Sequence, residues 1–301
     1  MDYILRSGDS VVKHWLRAGA SGWRLDVADE LPDGFLFELR RQVKAQDSDA
    51  LIIGEVWEDA SHKESYSHLR PYLQGRQLDS VMNYPLRNAV LDYITGCDAG
   101  LFVRRVEALR ENYPPQAFEC LMNFVSTHDT VRACTALGEA PDGLTRDERA
   151  SYRLSPEREL LARARLEMAY AMLFMLPGIP CVYYGDEDYM QGYDDPFNRR
   201  TKRWGGTDNM CGLLKKLAHL RGACGQTFTL TACGSALCID RGGYIGIFNP
   251  SQEPLEQLLD RSLTDNGRVS VSSGGAELGQ REQGLYLRMS PVSFCIIEVQ
   301  Q

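Results

Sequence analysis

The chain has 301 residues, 44% of them hydrophobic and 25% charged, which is enough for one large domain or two domains with packed cores. Its net charge of −8 argues against binding to nucleic acid or an anionic membrane, because both need a basic surface. No apolar run reaches the roughly 18 residues of a membrane span, and the N-terminus has no signal-peptide pattern. The nine cysteines form no C-x-x-C pair, so we expect reduced, mostly buried thiols in a cytoplasmic protein.

The first part of the chain alternates predicted helices and strands. A helix over residues 10–19 precedes a strand at residues 22–27, in which apolar and polar residues alternate with a period of two. A second helix, which Asp33 can cap, leads to an apolar strand at residues 51–55. A short strand is predicted at residues 78–83.

The same alternation continues to about residue 222, and it is typical of a parallel sheet with helices outside it. A helix start at residues 155–157 is strongly indicated, because a capping serine is followed by proline and an acidic residue. The predicted elements, in order, are helices at 86–94 and 98–111, a strand at 121–125, a loop at 140–154, a helix from Ser155 to about Met175, a strand at 179–184 and a last helix between Thr207 and Gly222.

From about residue 227 short alternating runs replace the helices, and Gly242-Gly243 forms a hairpin signal between two of them. These predicted strands lie at residues 236–240, 244–248, 269–272, 285–289 and 292–299. We therefore predict an α/β fold. Residues 1–226 would form a partial TIM (β/α)8 barrel, its C-terminal five β/α units, and residues 227–301 a small all-β sandwich domain. An open doubly wound sheet is the structural alternative, although no glycine-rich phosphate turn follows any predicted strand.

Three predicted strands end in carboxylates, at the edge where a parallel α/β barrel holds its chemistry. Arg24 and Asp26 share one strand face, although an isolated R-x-D is more often a structural ion pair. If their strand adjoins that of Glu55, the two carboxylates suit the close spacing of a retaining glycosidase. Arg24 would then favour the charged form of Asp26 as the nucleophile, and Glu55 would be the general acid. Asp129 would stabilise positive charge in the transition state, and His128 could donate a hydrogen bond to a hydroxyl.

Four stretches, in the same order, resemble motifs of the alpha-amylase family. The resemblance implies a nucleophile at Asp26, an acid/base at Glu55 and a stabilising aspartate at Asp129. It also implies retaining hydrolysis of α-1,4 or α-1,6-glucosidic bonds in maltooligosaccharides, cyclodextrins or pullulan. The matching stretches are residues 22–28 (GWRLDVA), 54–57 (GEVW), 123–129 (NFVSTHD) and 178–187 (GIPCVYYGDE).

Residues 81–85 (VMNYP) and 195–199 (DPFNR) are similar to the neopullulanase, cyclomaltodextrinase and maltogenic-amylase branch. In that branch Asp195 and Arg199 would help to hold the glucan, and a surface i,i+4 ion pair is the alternative. Trp57 would stack on a sugar face, with simple packing as its alternative. Competing functions are a non-catalytic homologue that binds a partner protein, and a sucrose-isomerising or transglycosylating member of the family.

The resemblance begins just before the family's fourth barrel strand, and the family's first motif has no counterpart here. We therefore expect a C-terminal fragment with reduced or no activity, and a homodimer or other self-association that covers open barrel edges. Glu58 stands where the branch usually has a histidine, which leaves acceptor preference open. No cofactor is implied as required and no metal site is predicted. Calcium is possible but undetermined, because the family's calcium ligands lie largely outside the matching part.

Overall fold

The computed structural model describes residues 1–96, 98–202, 204–206, 209–258, 267–281 and 284–299. No helix in these ranges is both long enough and apolar enough to cross a membrane. The chain forms two compact units. Unit 1 comprises Met1–Leu86, Val106–Asn123 and Pro177–Ile179, and unit 2 comprises Arg87–Arg105, Phe124–Leu176 and Pro180–Gln301.

Helices and short strands alternate along the first part of the chain, and strands dominate the last part. The α-helices of the described residues are α1 (Val11–Arg17), α2 (Asp33–Gln46), α3 (Tyr84–Ile94), α4 (Ala99–Asn112), α5 (Pro115–Phe118), α6 (Ala133–Leu137), α7 (Arg146–Ser151), α8 (Pro156–Met175) and α9 (Cys211–Ala223). The strands are β1 (Gly22–Leu25), β2 (Leu51–Gly54), β3 (Glu64–Ser65), β4 (His68–Leu69), β5 (Ser80–Val81), β6 (Met122–Asn123), β7 (Ile179–Pro180), β8 (Thr229–Cys233), β9 (Ala236–Asp240), β10 (Tyr244–Asn249), β11 (Leu255–Leu258), β12 (Arg268–Ser273), β13 (Ala276–Arg281), β14 (Gly284–Met289) and β15 (Ser293–Glu298).

The sheet of unit 1 follows the order of the chain. Strands β1, β2 and β5 pair in parallel, in that order. Met82, directly after β5, forms a parallel bridge with Met122 of β6. Ile179 at the start of β7 then donates its N–H to Leu121 O at 2.7 Å. Because parallel strands end at one edge of a sheet, the residues after β1 and β2 are brought to the same edge.

The strands of unit 1 pack closely because small residues stand where neighbours approach. A Cβ atom on Gly54 would lie 2.5 Å from Leu78 Cδ1 and 3.2 Å from Ala28 Cβ, so a larger residue would force its neighbours apart. In α2 the apolar residues Leu36 and Val43 are buried. Glycine before Glu55 therefore lets β2 come close to the segment that follows β1.

Unit 2 contains the long helix α8 and the β-rich region. Ser155 caps α8, and its side-chain oxygen accepts a hydrogen bond from Arg158 N, as the sequence predicts. The five-stranded sheet β12-β15-β10-β9-β8 and the three-stranded sheet β11-β14-β13 enclose an apolar core. Ile247, Met289 and Ile297 are buried members of that core.

The five strands predicted in the β-rich region correspond to β9, β10, β12, β14 and β15, and β9 has the predicted bounds. The sequence did not predict β8, β11 and β13. The change from helix to strand falls between Ala223, where α9 ends, and Thr229, where β8 begins. The division into two domains at residue 226 stays a prediction. Thr207, the predicted cap of the last helix, lies outside the described residues.

Several local predictions are wrong. The stretch 140–154, predicted as a loop, contains helix α7, because Thr145 and Glu148 form a reciprocal capping box at its start. The strand predicted at 179–184 is confined to β7. Most described thiols are partly exposed and only Cys134 and Cys295 are buried, since several cysteines lie towards the surface of their elements.

Candidate active site

The ends of β1 and β2 bring Asp26 and Glu55 next to each other. Leu25 of β1 is in register with Gly54 of β2, so the following residues of the two strands are neighbours. The Glu55 N–H donates to Leu25 O at 2.9 Å, and the Ala28 N–H donates to Glu55 O at 3.0 Å. The sheet register therefore extends past the last strand residues and fixes the backbone of both carboxylates.

Arg24 ion-pairs with both carboxylates. Its Nη1 atom lies 2.5 Å from Asp26 Oδ1, and its Nη2 atom lies 3.0 Å from Glu55 Oε2. The Asp26 side chain is 76% exposed, whereas that of Glu55 is only 3% exposed. The predicted Arg24–Asp26 contact is thus present. The Arg24–Glu55 contact was not foreseen, and it places the two carboxylates on the same side of the sheet.

Glu55 is held from several directions by hydrogen-bond donors. Val27 N–H donates to Glu55 Oε2 at 2.8 Å, and Trp57 Nε1 donates to Glu55 Oε1 at 3.2 Å. Tyr84 OH donates to the same oxygen at 3.5 Å. Val27 has a φ of 40°, in the left-handed region that a β-branched residue rarely adopts. This backbone conformation ends β1 and lets the Val27 N–H reach the buried carboxylate.

Trp57 both packs and faces solvent. Its ring stacks on Tyr84 with centroids 4.3 Å apart and an interplanar angle of 11°, yet 48% of the residue is exposed. Trp57 can therefore both pack against the protein and stack on a sugar, because one ring face is covered by Tyr84 while part of the residue stays accessible. Sequence reasoning missed Tyr84 as a site residue, although residues 81–85 were noted as a branch motif.

The other predicted site residues cluster in unit 2. His128 Nε2 lies 2.9 Å from Asp129 Oδ2, and Arg199 Nη2 lies 3.1 Å from Asp129 Oδ1. Arg199 Nε also lies 2.9 Å from Asp195 Oδ1, which is the i,i+4 ion pair considered as the alternative. Arg199 therefore bridges two aspartates, as Arg24 does for Asp26 and Glu55.

A buried polar network supports this second cluster. The Asn198 side chain donates to the carbonyl oxygens of His128 and Thr130, both at 2.8 Å. Fully buried Arg132 donates to Asn198 O at 2.9 Å and ion-pairs with fully buried Asp186 at 3.2 Å. Neither residue was singled out from the sequence. Asn198 lies within residues 195–199, which were noted as a branch motif, whereas Arg132 lies in none of the motifs.

Asp186 belongs to the same buried polar network, through its ion pair with Arg132. It accepts a hydrogen bond from Tyr170 OH at 2.7 Å, and burial raises the pKa of its carboxyl group above the ordinary value. The residue lies within the stretch 178–187 that resembles the family's last barrel strand. That motif was the available signal for a buried acidic residue here.

Asp195 lies on the wall of a cavity of about 650 Å³, with Arg149, Asp194 and Phe197 among its other lining residues. This volume lies within the range of small-molecule sites. Among the described residues, no group of three or more histidine, cysteine, aspartate or glutamate side chains is placed to hold a metal ion. No described residue is therefore assigned to calcium.

The predicted site residues thus form two sets. Arg24, Asp26, Glu55 and Trp57 make one connected cluster in unit 1. His128, Asp129, Asp195 and Arg199 make another in unit 2. The catalytic and substrate-binding roles of all eight residues stay predictions.

Comparison with known proteins identifies the family to which the chain is similar. A family model described as "Alpha amylase, catalytic domain" matches residues 3–215. Neopullulanase 2 of Thermoactinomyces vulgaris is 37% identical over 216 residues, which are 70% of this chain and 32% of that protein. A cyclomaltodextrinase of Bacillus sp is 36% identical over 209 residues, which are 68% of this chain and 31% of that protein. The chain thus spans less than a third of either relative.

Solved structures agree on the fold. A Thermus thermophilus protein superposes with a TM-score of 0.73 at 29% identity, covering 96% of this chain and 61% of that chain. An alpha-amylase of Geobacillus thermoleovorans superposes with a TM-score of 0.74 at 23% identity, covering 96% and 62%. These matches confirm the predicted fold class, a partial (β/α)8 barrel followed by a β-sandwich region. Since the family model covers more than half of the sequence and the motifs occur in order, this chain belongs to the alpha-amylase family.

Proposed function

We propose that the chain carries the catalytic carboxylates of a retaining glycosidase. Its substrates would be α-1,4 or α-1,6-glucosidic bonds of maltooligosaccharides, cyclodextrins or pullulan. The observation that carries the proposal is the shared contact of Arg24 with Asp26 and Glu55. Two carboxylates joined through one guanidinium group suit the short separation of retaining enzymes. The names of the relatives, neopullulanase and cyclomaltodextrinase, supply the substrate class.

In the proposed mechanism Asp26 attacks the anomeric carbon while Glu55 gives its proton to the glycosidic oxygen, and the C–O bond breaks. A covalent glycosyl ester forms on Asp26. Water then attacks the same carbon, Glu55 takes a proton from it, and Asp26 is released. The exposed Asp26 carboxylate is accessible to a sugar, and the donors around Glu55 fix its orientation.

Asp129 would stabilise the oxocarbenium-like charge of the transition state. His128 and Arg199 hold its two carboxylate oxygens, so its orientation is set before substrate binds. Asp195 and Arg199 would hold the glucan by hydrogen bonds to hydroxyl groups. Trp57 would offer its exposed surface to a sugar ring.

The test is Glu55→Gln, assayed with cyclodextrin, pullulan, maltotriose and α-glucosyl fluoride. Fluoride leaves without protonation, so Glu55→Gln should slow hydrolysis of the three glucans by about 10²–10⁴-fold and spare the fluoride much more. Asp26→Asn should abolish both activities. Glu58→Gln is the matched control, because Glu58 is exposed and pairs with Lys63 instead of the site. Because we expect reduced activity from this chain, the assays use high enzyme concentrations. Hydrolysis of the three glucans by Glu55→Gln at the rate of the unaltered chain would contradict the proposal.

We also propose that the protein self-associates, most simply as a homodimer. Strand β1 lies at the end of its sheet, and Tyr3 and Trp15 are 78% and 55% exposed. An open strand edge and exposed aromatic residues each favour contact with another chain. Light scattering on the eluted protein should give twice the mass of one chain, and a single monomeric species would contradict the proposal.

We propose a cytoplasmic location, supported by the free state of all eight described cysteines. Cell fractionation with thiol labelling should place the reduced protein in the cytosol. Recovery from a secreted fraction would contradict this.

A further inference from the structure

A second cavity in unit 2 lies beside helix α7 and is outside the residues assigned to catalysis. Its volume is about 790 Å³, which is within the range of small-molecule sites. Its lining includes two arginines, Arg153 and Arg200, and the apolar surfaces of Tyr189 and Phe197. The cavity can therefore offer both cationic and apolar contacts to a ligand.

Within the part of the chain that the structure describes, no carboxylate pairs with the two arginines at this cavity. Neither Arg153 nor Arg200 makes an ion pair with a carboxylate among the described residues. The one acidic residue in the lining, Asp188, lies 3.1 Å from Lys202 Nζ and is paired there. Burial and the positive charges of Arg153 and Arg132 lower the pKa of Arg200. The two arginines thus repel each other, and an anion between them would relieve that repulsion.

Each arginine keeps hydrogen-bonding capacity. Arg153 Nη1 donates to Tyr152 O at 2.5 Å, and Arg200 Nη2 donates to Ala150 O. These backbone contacts orient the two groups, yet a guanidinium group has five N–H donors and most stay available. Gln191 accepts from Leu154 N through Oε1 at 2.9 Å, so its amide NH₂ is the end left to donate.

We propose that this cavity binds a phosphate group, either as inorganic phosphate or as part of a phosphorylated sugar. Paired arginines match the geometry of phosphate oxygens, since each can form two parallel N–H···O bonds. A cavity of this volume has room for a sugar as well, against the surfaces of Tyr189 and Phe197. The site is separate from the proposed hydrolysis, and its occupancy can be measured without turnover.

Isothermal titration calorimetry of the full chain with inorganic phosphate, glucose 6-phosphate and glucose tests the proposal. Both phosphates, or glucose 6-phosphate alone, should bind, and glucose should bind far more weakly. Arg153→Gln should raise the Kd by about tenfold or more, because a charged hydrogen-bond donor is lost. Arg104→Gln, an exposed arginine on α4, is the matched control and should leave the Kd unchanged.

The three titrations also distinguish a site for inorganic phosphate from a site for a phosphorylated sugar. Equal affinity for the two phosphates assigns the site to the free anion, and binding of glucose 6-phosphate alone assigns it to a phosphorylated sugar. Binding of glucose as tightly as glucose 6-phosphate, or an unchanged Kd in Arg153→Gln, would overturn the proposal. So would the absence of binding by all three compounds. Arg200→Gln, checked for folding by circular dichroism, provides a second variant with the same expected weakening.

Discussion

The Arg24 Nη2 atom lies 3.0 Å from Glu55 Oε2, so a cation on β1 directly contacts the buried carboxylate that follows β2. The same guanidinium group contacts the exposed Asp26. Arg24 therefore positions both carboxylates that we assign to catalysis. Its planar group can meet two carboxylates at once, which a lysine ammonium on a flexible chain does less well.

Arg24→Lys should keep the charge but lose the double contact. We expect kcat/KM on cyclodextrin to fall by about 10²-fold, since the carboxylates lose their alignment. The free energy of unfolding should fall by about 1–3 kcal/mol, because a lysine ammonium cannot hold both carboxylates and buried Glu55 loses its direct contact with the cation. Steady-state kinetics across pH and urea unfolding measure the two effects. Arg17→Lys, at an exposed ion pair with Asp9, is the control. Normal kinetics in Arg24→Lys would show that Arg24 does not position the carboxylates.

The hydrogen bond of Trp57 to Glu55 and its aromatic surface can be tested by separate substitutions. Trp57→Phe should keep the stack on Tyr84 but remove the Nε1 donor to Glu55, so kcat should fall with little change in KM. Trp57→Ala should in addition raise KM by about tenfold, because an aromatic surface for the sugar is lost. Steady-state kinetics on maltotriose provide the measurement. Trp204→Phe, at an 87% exposed tryptophan in unit 2, should have no effect. An unchanged KM in Trp57→Ala would remove Trp57 from substrate binding.

The buried pair Arg132–Asp186 should dominate the stability of the second cluster. Both side chains are fully buried, so Arg132→Met leaves a buried carboxylate without its cation and should lower the free energy of unfolding by about 3–5 kcal/mol. The double variant with Asp186→Asn should lose less than the sum of the single changes, since the unpaired charge is absent. Urea unfolding at neutral pH measures all three. Arg104→Met, at an exposed site, is the control, and strict additivity would argue against coupling of the pair.

Glu38 on α2 should give the protein a sensitivity to acid. Side-chain hydrogen bonds from Arg41 and Gln42 lower the pKa of its carboxyl group from 4.5 to about 2. A lowered pKa in the folded state means that this stabilisation is complete above pH 4.5 and is lost as the pH falls towards about 2. Glu38→Gln should therefore show a smaller loss of stability than the unaltered protein over that interval. Urea unfolding at several pH values tests this, with Glu119→Gln as the exposed control. Parallel pH curves for Glu38→Gln and the unaltered protein would contradict the prediction.

Local sequence signals predicted the elements that depend on neighbours along the chain. Residues 155–157 carry a cap, a proline and an acid, and α8 begins there as expected. Alternating residues and a glycine pair gave the hairpin strands β9 and β10 nearly to the residue. The same kind of signal at Thr145 and Glu148 was present but was outweighed by the polar composition of the stretch, so α7 was missed.

Contacts between distant residues were harder to predict. The motifs identified Asp26 and Glu55, but no spacing shows that Arg24 reaches across to the next strand. Arg132 is separated from Asp186 by 54 positions, and its burial follows from packing that one sequence does not encode locally. The roles predicted for the site residues therefore stay predictions, and the sequence did not indicate the groups that orient those residues.

The left-handed backbone of Val27 has a consequence for engineering this protein. A β-branched residue at a φ of 40° stores about 1–3 kcal/mol of conformational energy, and its N–H is bonded to the Glu55 side chain. Glycine at this position would release that strain in the folded chain but would also loosen the loop that aims the amide. Attempts to raise thermal tolerance here would therefore make Glu55, the proposed acid/base, less rigid while they relax the main chain.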